Sequence, residues 1–189
     1  MKQIELLKQP SKKYSKAYGG SLAKTRSGRA GPRPLATKQS MHLSMKSSKA
    51  TGQWSFLKSK NDRIVRDIIL RFAKKYGVQI RTLANVGNHL HMQVRLTNRH
   101  SYAAFIRAIT GAIAIKVTGK NRWENSTGDS LKNKKLKFWD HRPFTRIVTS
   151  LREILNLKDY IQINALEGMG HTRQQARFLI EWDRRRNTS

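Results

Sequence analysis

The chain of 189 residues contains no cysteine. That absence excludes disulfides, thiolate zinc sites and cysteine nucleophiles, and it suits a cytoplasmic protein. Acidic residues are scarce as well: 11 Asp and Glu stand against 39 Lys and Arg, a formal charge of +28. Such an excess repels itself unless a polyanion neutralises it. Nucleic acid is the natural partner, because condensed counterions are released when Lys and Arg take their place on its phosphates. An anionic membrane is the other polyanion. No amphipathic basic anchor stands out, however, and no apolar run approaches the ~18 residues of a spanning helix. Residues 1–10 lack the apolar stretch of a secretory signal, so none is expected. Hydrophobic residues make up only 38% of the chain, which fits a modest core diluted by charged tails.

Residues 1–39 read as a basic, flexible arm. They hold ten Lys and Arg and a single acid, Glu5. Gly19-Gly20 and Gly31-Pro32-Arg33-Pro34 interrupt regular structure there. Patterning begins at Ser40. Met41, Leu43 and Met45 alternate with polar residues as in a strand. Ile64, Ile68, Phe72 and Tyr76 recur every four positions, which predicts a helix over 60–76 that stops at Gly77. Strands are expected at 78–84 and 88–96, and a helix over 101–117 with Tyr102, Phe105, Ile109 and Ile113 on one side. Residues 118–135 are polar and form a loop, and 136–148 form a fourth strand. Ser150-Leu151-Arg152-Glu153 is a capping box that opens a third helix, running to about Leu166 and stopping at Gly168. A basic amphipathic helix closes the chain over 172–185. The order βαββαβα implies a ferredoxin-like α+β fold, a central antiparallel sheet with helices mainly on one face. The catalytic domain would span 40–168, with a basic C-terminal helix and tail at 169–189.

The sharpest local feature is His89-Leu90-His91. Alternate side chains of a strand share a face, so the two imidazoles point the same way with Cα atoms roughly 6.6 Å apart. Leu90, Met92, Val94 and Leu96 form the opposite, apolar row, while Gln93 and Arg95 join the histidines. A pair of surface histidines on a half-buried strand fits the triplet equally well. On the third helix, Asn156, Tyr160 and Asn164 lie along one stripe at i, i+4 and i+8. Ile154, Leu157 and Ile161 form the neighbouring stripe that would hold the helix to the sheet. Alone, Tyr160 reads as an amphipathic core residue. Together, a metal pair, a tyrosine and an amide one turn beyond it make a site for phosphoryl transfer. The metal would neutralise phosphate charge, Asn164 would add an oxygen ligand, and the phenolate of Tyr160 would attack.

Three segments carry a family resemblance. Asn88-His89-Leu90-His91-Met92-Gln93-Val94 resembles the Asn-His-Val-His-Leu-Leu-Val strand of the HUH single-tyrosine transposases, and within them the REP-associated tyrosine transposases. Phe138-Trp139 with Arg142 and Phe144 resembles their aromatic-Trp…Arg-Phe strand. Tyr160-Ile161-Gln162-Ile163-Asn164, with Gly168 beyond, resembles their Tyr-Ile-His-Leu-Asn helix. The resemblance covers about residues 40–168. It implies a metal-dependent single-strand DNA endonuclease and strand transferase. His89, His91 and Asn164 would hold Mg2+ or Mn2+, Tyr160 would be the nucleophile, and the product would be a 5′-phosphotyrosine and a free 3′-hydroxyl. The sequence departs from the family at Gly87, where Pro is frequent, and at Ala165-Leu166-Glu167, where Pro-Val-Arg is usual. His141 and His171 are alternatives to Asn164, or else surface residues or phosphate contacts.

The expected partner is single-stranded or hairpin DNA, bound by a monomer or homodimer away from any membrane. Arg95, Trp123, Lys132, Lys134, Lys135, Lys137 and Arg142 are candidate contacts near the site, and Lys12, Lys13, Arg29 and Arg33 on the arm. Trp54, Trp123 and Trp139 could each stack on bases. Trp139 fits the core better, and Trp123 is the strongest stacking candidate. The competing readings are a non-catalytic basic nucleic-acid-binding protein and a domesticated transposase acting on host repeats.

Overall fold

A computed structural model describes residues 17–20, 33–119 and 137–186. The elements run β1 (Ala17–Tyr18), β2 (Ser40–Lys46), α1 (Ser59–Tyr76), β3 (Val78–Asn85), β4 (His89–Leu96), α2 (Ser101–Thr118), β5 (Phe144–Val148), α3 (Leu151–Gly168) and α4 (Arg173–Arg186). From β2 to α3 this is the βαββαβα order of a ferredoxin-like fold. The strands form one antiparallel sheet in the order β1-β5-β2-β4-β3.

The main core lies between one face of that sheet and the helices α1 and α2. Met41, Leu43 and Met45 of β2 and Leu90, Met92, Val94 and Leu96 of β4 meet Val65, Ile68 and Ile69 of α1 and Phe105, Ile109 and Ile113 of α2. The two-residue period of the strands and the near-four-residue period of the helices deliver these side chains to one layer. α1 ends at Gly77, whose φ of 63° is left-handed and whose amide donates to Ala73 O and Lys74 O. A Cβ there would stand 2.6 Å from Thr97 Oγ1, so glycine answers both the turn and the packing. α2 has the length and hydropathy (1.2) of a membrane span, which the sequence reading did not anticipate, but its apolar stripe is seated on the sheet.

α3 lies on the other face. Its start is the expected capping box: Ser150 Oγ accepts from Glu153 N, and the Glu153 carboxylate accepts from the Ser150 amide. Leu157 and Ile161 pack on Ala84 of β3 and Val148 of β5, with Ile154 beside them. At the far end a Cβ on Gly168 would come within 2.8 Å of Asn85 O, so α3 presses directly onto the β3–β4 hairpin. The hairpin is itself pinned by buried Asn85, which donates through Nδ2 to Phe56 O and Asp62 Oδ1 and accepts from Gly87 N. The expectation of helices mainly on one face is thus corrected: α1 and α2 cover one face, α3 the other.

Two further differences matter. The fourth expected strand is shorter than 136–148 and begins at Phe144. Phe138 and Trp139 precede it as irregular chain packed into the main core, with Trp139 Nε1 donating to Thr110 O. The described parts of the arm are also built into the fold. β1 pairs with β5 through Ala17–Arg146 and Tyr18–Thr145. Arg33 Nη1 donates to Pro143 O at 2.8 Å and to Thr145 Oγ1 at 2.7 Å, and its guanidinium lies over the rings of Tyr18 and Tyr102. Arg33, expected among the phosphate contacts, instead ties the arm to β5.

Replacing Arg33 by Met removes two hydrogen bonds from a charged donor and two ring contacts. Stability should fall by about 2 kcal/mol, measured by urea unfolding. A chain begun at Ser40 should lose at least as much. An unchanged midpoint for Arg33→Met would show that this tie does not support the fold.

Candidate active site

β4 builds the site because both of its faces are covered. Its odd-numbered residues turn away from the main core, toward the side on which α3 packs. His91 is 5% exposed there, and His89, nearer the hairpin, is half-buried. α3 brings Tyr160 over this face: its ring centroid is 5.3 Å from that of His91, and the His89 and His91 rings are 4.8 Å apart. Tyr160 remains 39% exposed. Asn164 lies one turn further on and is 8% exposed, on the stripe of Leu157 and Ile161. Its Nδ2 donates to Tyr160 O at 2.6 Å, which leaves Oδ1 as the oxygen it can offer.

The structure adds a residue that the sequence reading passed over. His42 of β2 shares this face, flanked in the ladder by Arg146 of β5 and Gln93 of β4. Its Nε2 is 3.1 Å from His91 Nδ1, its ring stacks on His91 at 22°, and its centroid is 5.7 Å from that of Tyr160. The signal was parity: if Met41, Leu43 and Met45 face the core, His42 faces the other way, as His89 and His91 do.

The hydrogen bonds favour one tautomer of each ring. His89 Nδ1 lies 2.6 Å from Asn88 Oδ1, an acceptor, so His89 donates there and its Nε2 carries the lone pair. His91 Nε2 is buried with no partner. A buried N–H left unpaired costs more than an idle lone pair, so the proton belongs on Nδ1, donated to His42. Both histidines then present a bare Nε2, the form in which imidazole binds metal. Burial holds the pKa of all three below the ordinary value. His91 falls to about 3, through burial and then its His42 and His89 neighbours. His42 falls to about 4, through burial and then Arg146. His89 is lowered by burial and then Lys46. Among the described residues no three His, Cys, Asp or Glu side chains converge as a metal-binding group. A cation here would therefore draw on two neutral imidazoles and an amide oxygen, a set that fits a divalent ion with positions left open.

The remaining candidates scatter. Arg95 is exposed on the histidine side of β4, its Nε donating to Thr37 O. Lys137 and Arg142 are exposed just before β5. Trp54 and Trp139 are partly buried against the main core. His171 is exposed in the α3–α4 turn and His141 half-buried near Asp140. Trp123, Lys132, Lys134, Lys135, Lys12, Lys13 and Arg29 lie outside the described residues.

Residues 49–164 match the family model of IS200-like transposases. No curated protein matches the chain. Among solved structures, one similar to it is a REP-associated tyrosine transposase bound to a REP hairpin. That likeness has a TM-score of 0.54 at 15% identity over 74% of each chain, and it is a likeness of fold. A second, named as a transposase of Deinococcus radiodurans R1, has a TM-score of 0.40 at 16% identity, over 74% of this chain and 97% of that one.

The lowered histidine pKa values carry a pH dependence. Folded His42 and His91 resist protonation below the unfolded value of 6.5. As pH falls, the unfolded chain therefore takes up protons first and stability drains away between about pH 6.5 and 3. In chelator, urea unfolding should lose on the order of 5 kcal/mol from pH 7 to pH 4.5. A chain with His42→Phe and His91→Leu should lose most of that slope. Equal slopes would contradict the buried, neutral state.

Proposed function

Because the chain belongs to the family of IS200-like transposases, DNA-processing enzymes, we propose that it cleaves and rejoins single-stranded DNA through a covalent bond to Tyr160. The observation that carries this reading is the exposed Tyr160 ring set against His91 and His42 on the face that also holds His89. In the first step Tyr160 Oη attacks the scissile phosphorus in line. The phenolic proton leaves to water, the P–O3′ bond breaks, and the departing 3′ oxygen takes up a proton. The products are a 5′-phosphotyrosine and a free 3′-hydroxyl. Attack of a 3′-hydroxyl on the phosphotyrosine reverses the step and joins strands.

His89, His91 and Asn164 would hold Mg2+ or Mn2+. Bound there, the ion would neutralise charge on the scissile phosphate and favour the attacking phenolate. The chain's own residues prepare this. Asn88 Oδ1 and His42 Nε2 accept from Nδ1 of His89 and His91, so that both Nε2 atoms keep their lone pairs. The Asn164–Tyr160 backbone bond turns the Asn164 side chain along the helix. The charge of +28 draws the DNA strand. A hairpin or repeat is the favoured target, in keeping with the REP hairpin of the structural neighbour.

The test is formation of a covalent adduct with single-stranded oligonucleotides in Mn2+, read by denaturing electrophoresis. Tyr160→Phe keeps the ring packing and removes the nucleophile. It should abolish the adduct while DNA binding persists. His89→Ala, His91→Ala and chelator should each reduce cleavage by at least a hundredfold. Mn2+ should also raise the melting temperature of the wild type, by mass action, and not that of His91→Ala. Cleavage by Tyr160→Phe at the wild-type rate would refute the nucleophile, and full activity in chelator would remove the metal.

A further inference from the structure

Beside Tyr160, on the side away from Asn164, a cavity of about 350 Å³ opens between the first two turns of α3 and strands β2 and β5. Phe144, His42 and Tyr160 form a continuous aromatic wall, with successive ring centroids 5.7 Å apart. Arg146, Glu153 and Asn156 supply its polar groups. None of the steps above uses this space. Its size is at the lower end for small-ligand sites, enough for a single nucleotide and too small for a duplex.

The polar groups narrow the occupant. Arg146 donates to Glu153 Oε1, and Glu153 Oε2 accepts from Thr149 N and Oγ1. Those bonds to Thr149, and then the one to Arg146, hold the Glu153 carboxyl down at about 2. Arg146 and Glu153 neutralise each other across that ion pair, so the cavity carries no spare cation for a phosphate and suits an uncharged ring. Asn156 is exposed, and among the described residues nothing is bonded to its amide. An amide offering a donor and an acceptor side by side pairs with the N6 and N7 edge of adenine. The spacing also fits. Asn156, Tyr160 and Asn164 succeed one another by one turn of α3, about 6 Å each along the axis. A phosphate at Tyr160 therefore leaves the adjoining base within reach of Asn156.

We propose that this cavity receives one unpaired DNA base next to the scissile phosphate, adenine above the others, stacked on the aromatic wall and held at its edge by Asn156. The inference rests on the strand-transfer reading for its substrate, and it adds a base preference read by protein side chains at a single position.

The experiment has a cleavage arm and a binding arm. In the first, the full chain is given single-stranded oligonucleotides with a randomised tract, and the trapped adducts and released ends are sequenced. The wild type should show adenine enriched about tenfold or more at one position beside the cut. Asn156→Ala should flatten that position alone. Asn156→Asp, which can only accept, should turn the preference toward cytosine. In the second arm Tyr160→Phe, which cannot cleave, binds oligo-dT with and without one 2-aminopurine or adenine. Adenine should tighten binding several-fold, and adding Asn156→Ala should remove that gain; 2-aminopurine, which lacks the N6 amine, should bind less tightly than adenine, with its fluorescence quenched by the aromatic wall. An Asn156→Ala profile identical to the wild type, or binding indifferent to the purine, would overturn the pocket. No adduct from the wild type, with purine-dependent binding intact, would overturn strand transfer and leave the pocket standing.

Discussion

Adjacent residues of β4 face opposite ways, and every other relation in this molecule depends on that alternation. Leu90, Met92, Val94 and Leu96 close the main core against α1 and α2, while His89 and His91 are delivered to the side on which α3 packs. A slip of one residue in the β2–β4 register would exchange the two sets at once. Imidazoles would enter an apolar core and methionine would replace them beneath Tyr160. The register is held from both neighbours, by β2 and by the β3–β4 hairpin, and the hairpin is fastened by Asn85 to the loop at Phe56 and to α1. Stability of the fold and placement of the chemistry are therefore one constraint.

The site violates the rule that buried polar atoms are paired. His91 Nε2 has no partner while its Nδ1 is bonded to His42. An idle lone pair in a dry place weakens the fold, as groups poised to bind commonly do. The same burial keeps the imidazoles neutral, so the charge of the region comes from Arg146, Lys46 and the wider basic surface. Tyr160 stands at the boundary: its ring lies against His91 and His42, and the residue is partly exposed. Leu157 and Ile161 hold α3 in place beside it.

How much of this was legible in the sequence can be judged residue by residue. The element order, the stop at Gly77, the Ser150–Glu153 box and the shared face of His89 and His91 follow from local rules of period and capping, and the structure has them. The placement of α3 opposite α1 and α2 was not legible. A strand alternating Leu, Met and Val with His, Gln and Arg reads as having one wet face. Here the wet-looking face is covered by a helix that leaves the polar groups for function. His42 was missed because β2 was read through its methionines. Arg33 and β1 escaped because their partners, Pro143, Thr145 and Arg146, lie more than a hundred residues away, beyond any local pattern. Phe138 and Trp139 were taken into a strand on their apolar character, yet they fill the main core from irregular chain.

The sheet order also sets a sequence of events on the ribosome. β2, α1, β3, β4 and α2 make up nearly the whole main core, and all of them are synthesised before Phe144 appears. β5 must then add to the free side of β2, far from the segment just made, and α3 follows it onto the opposite face. Pairings between distant parts of a chain form late. A nascent or prematurely terminated chain thus carries His42, His89 and His91 on a sheet face that nothing yet covers. It has neither Tyr160 nor the walls that Phe144 and Asn156 provide. The histidine face is thus made early in synthesis, and the helix that covers it comes into being only with the last quarter of the polypeptide.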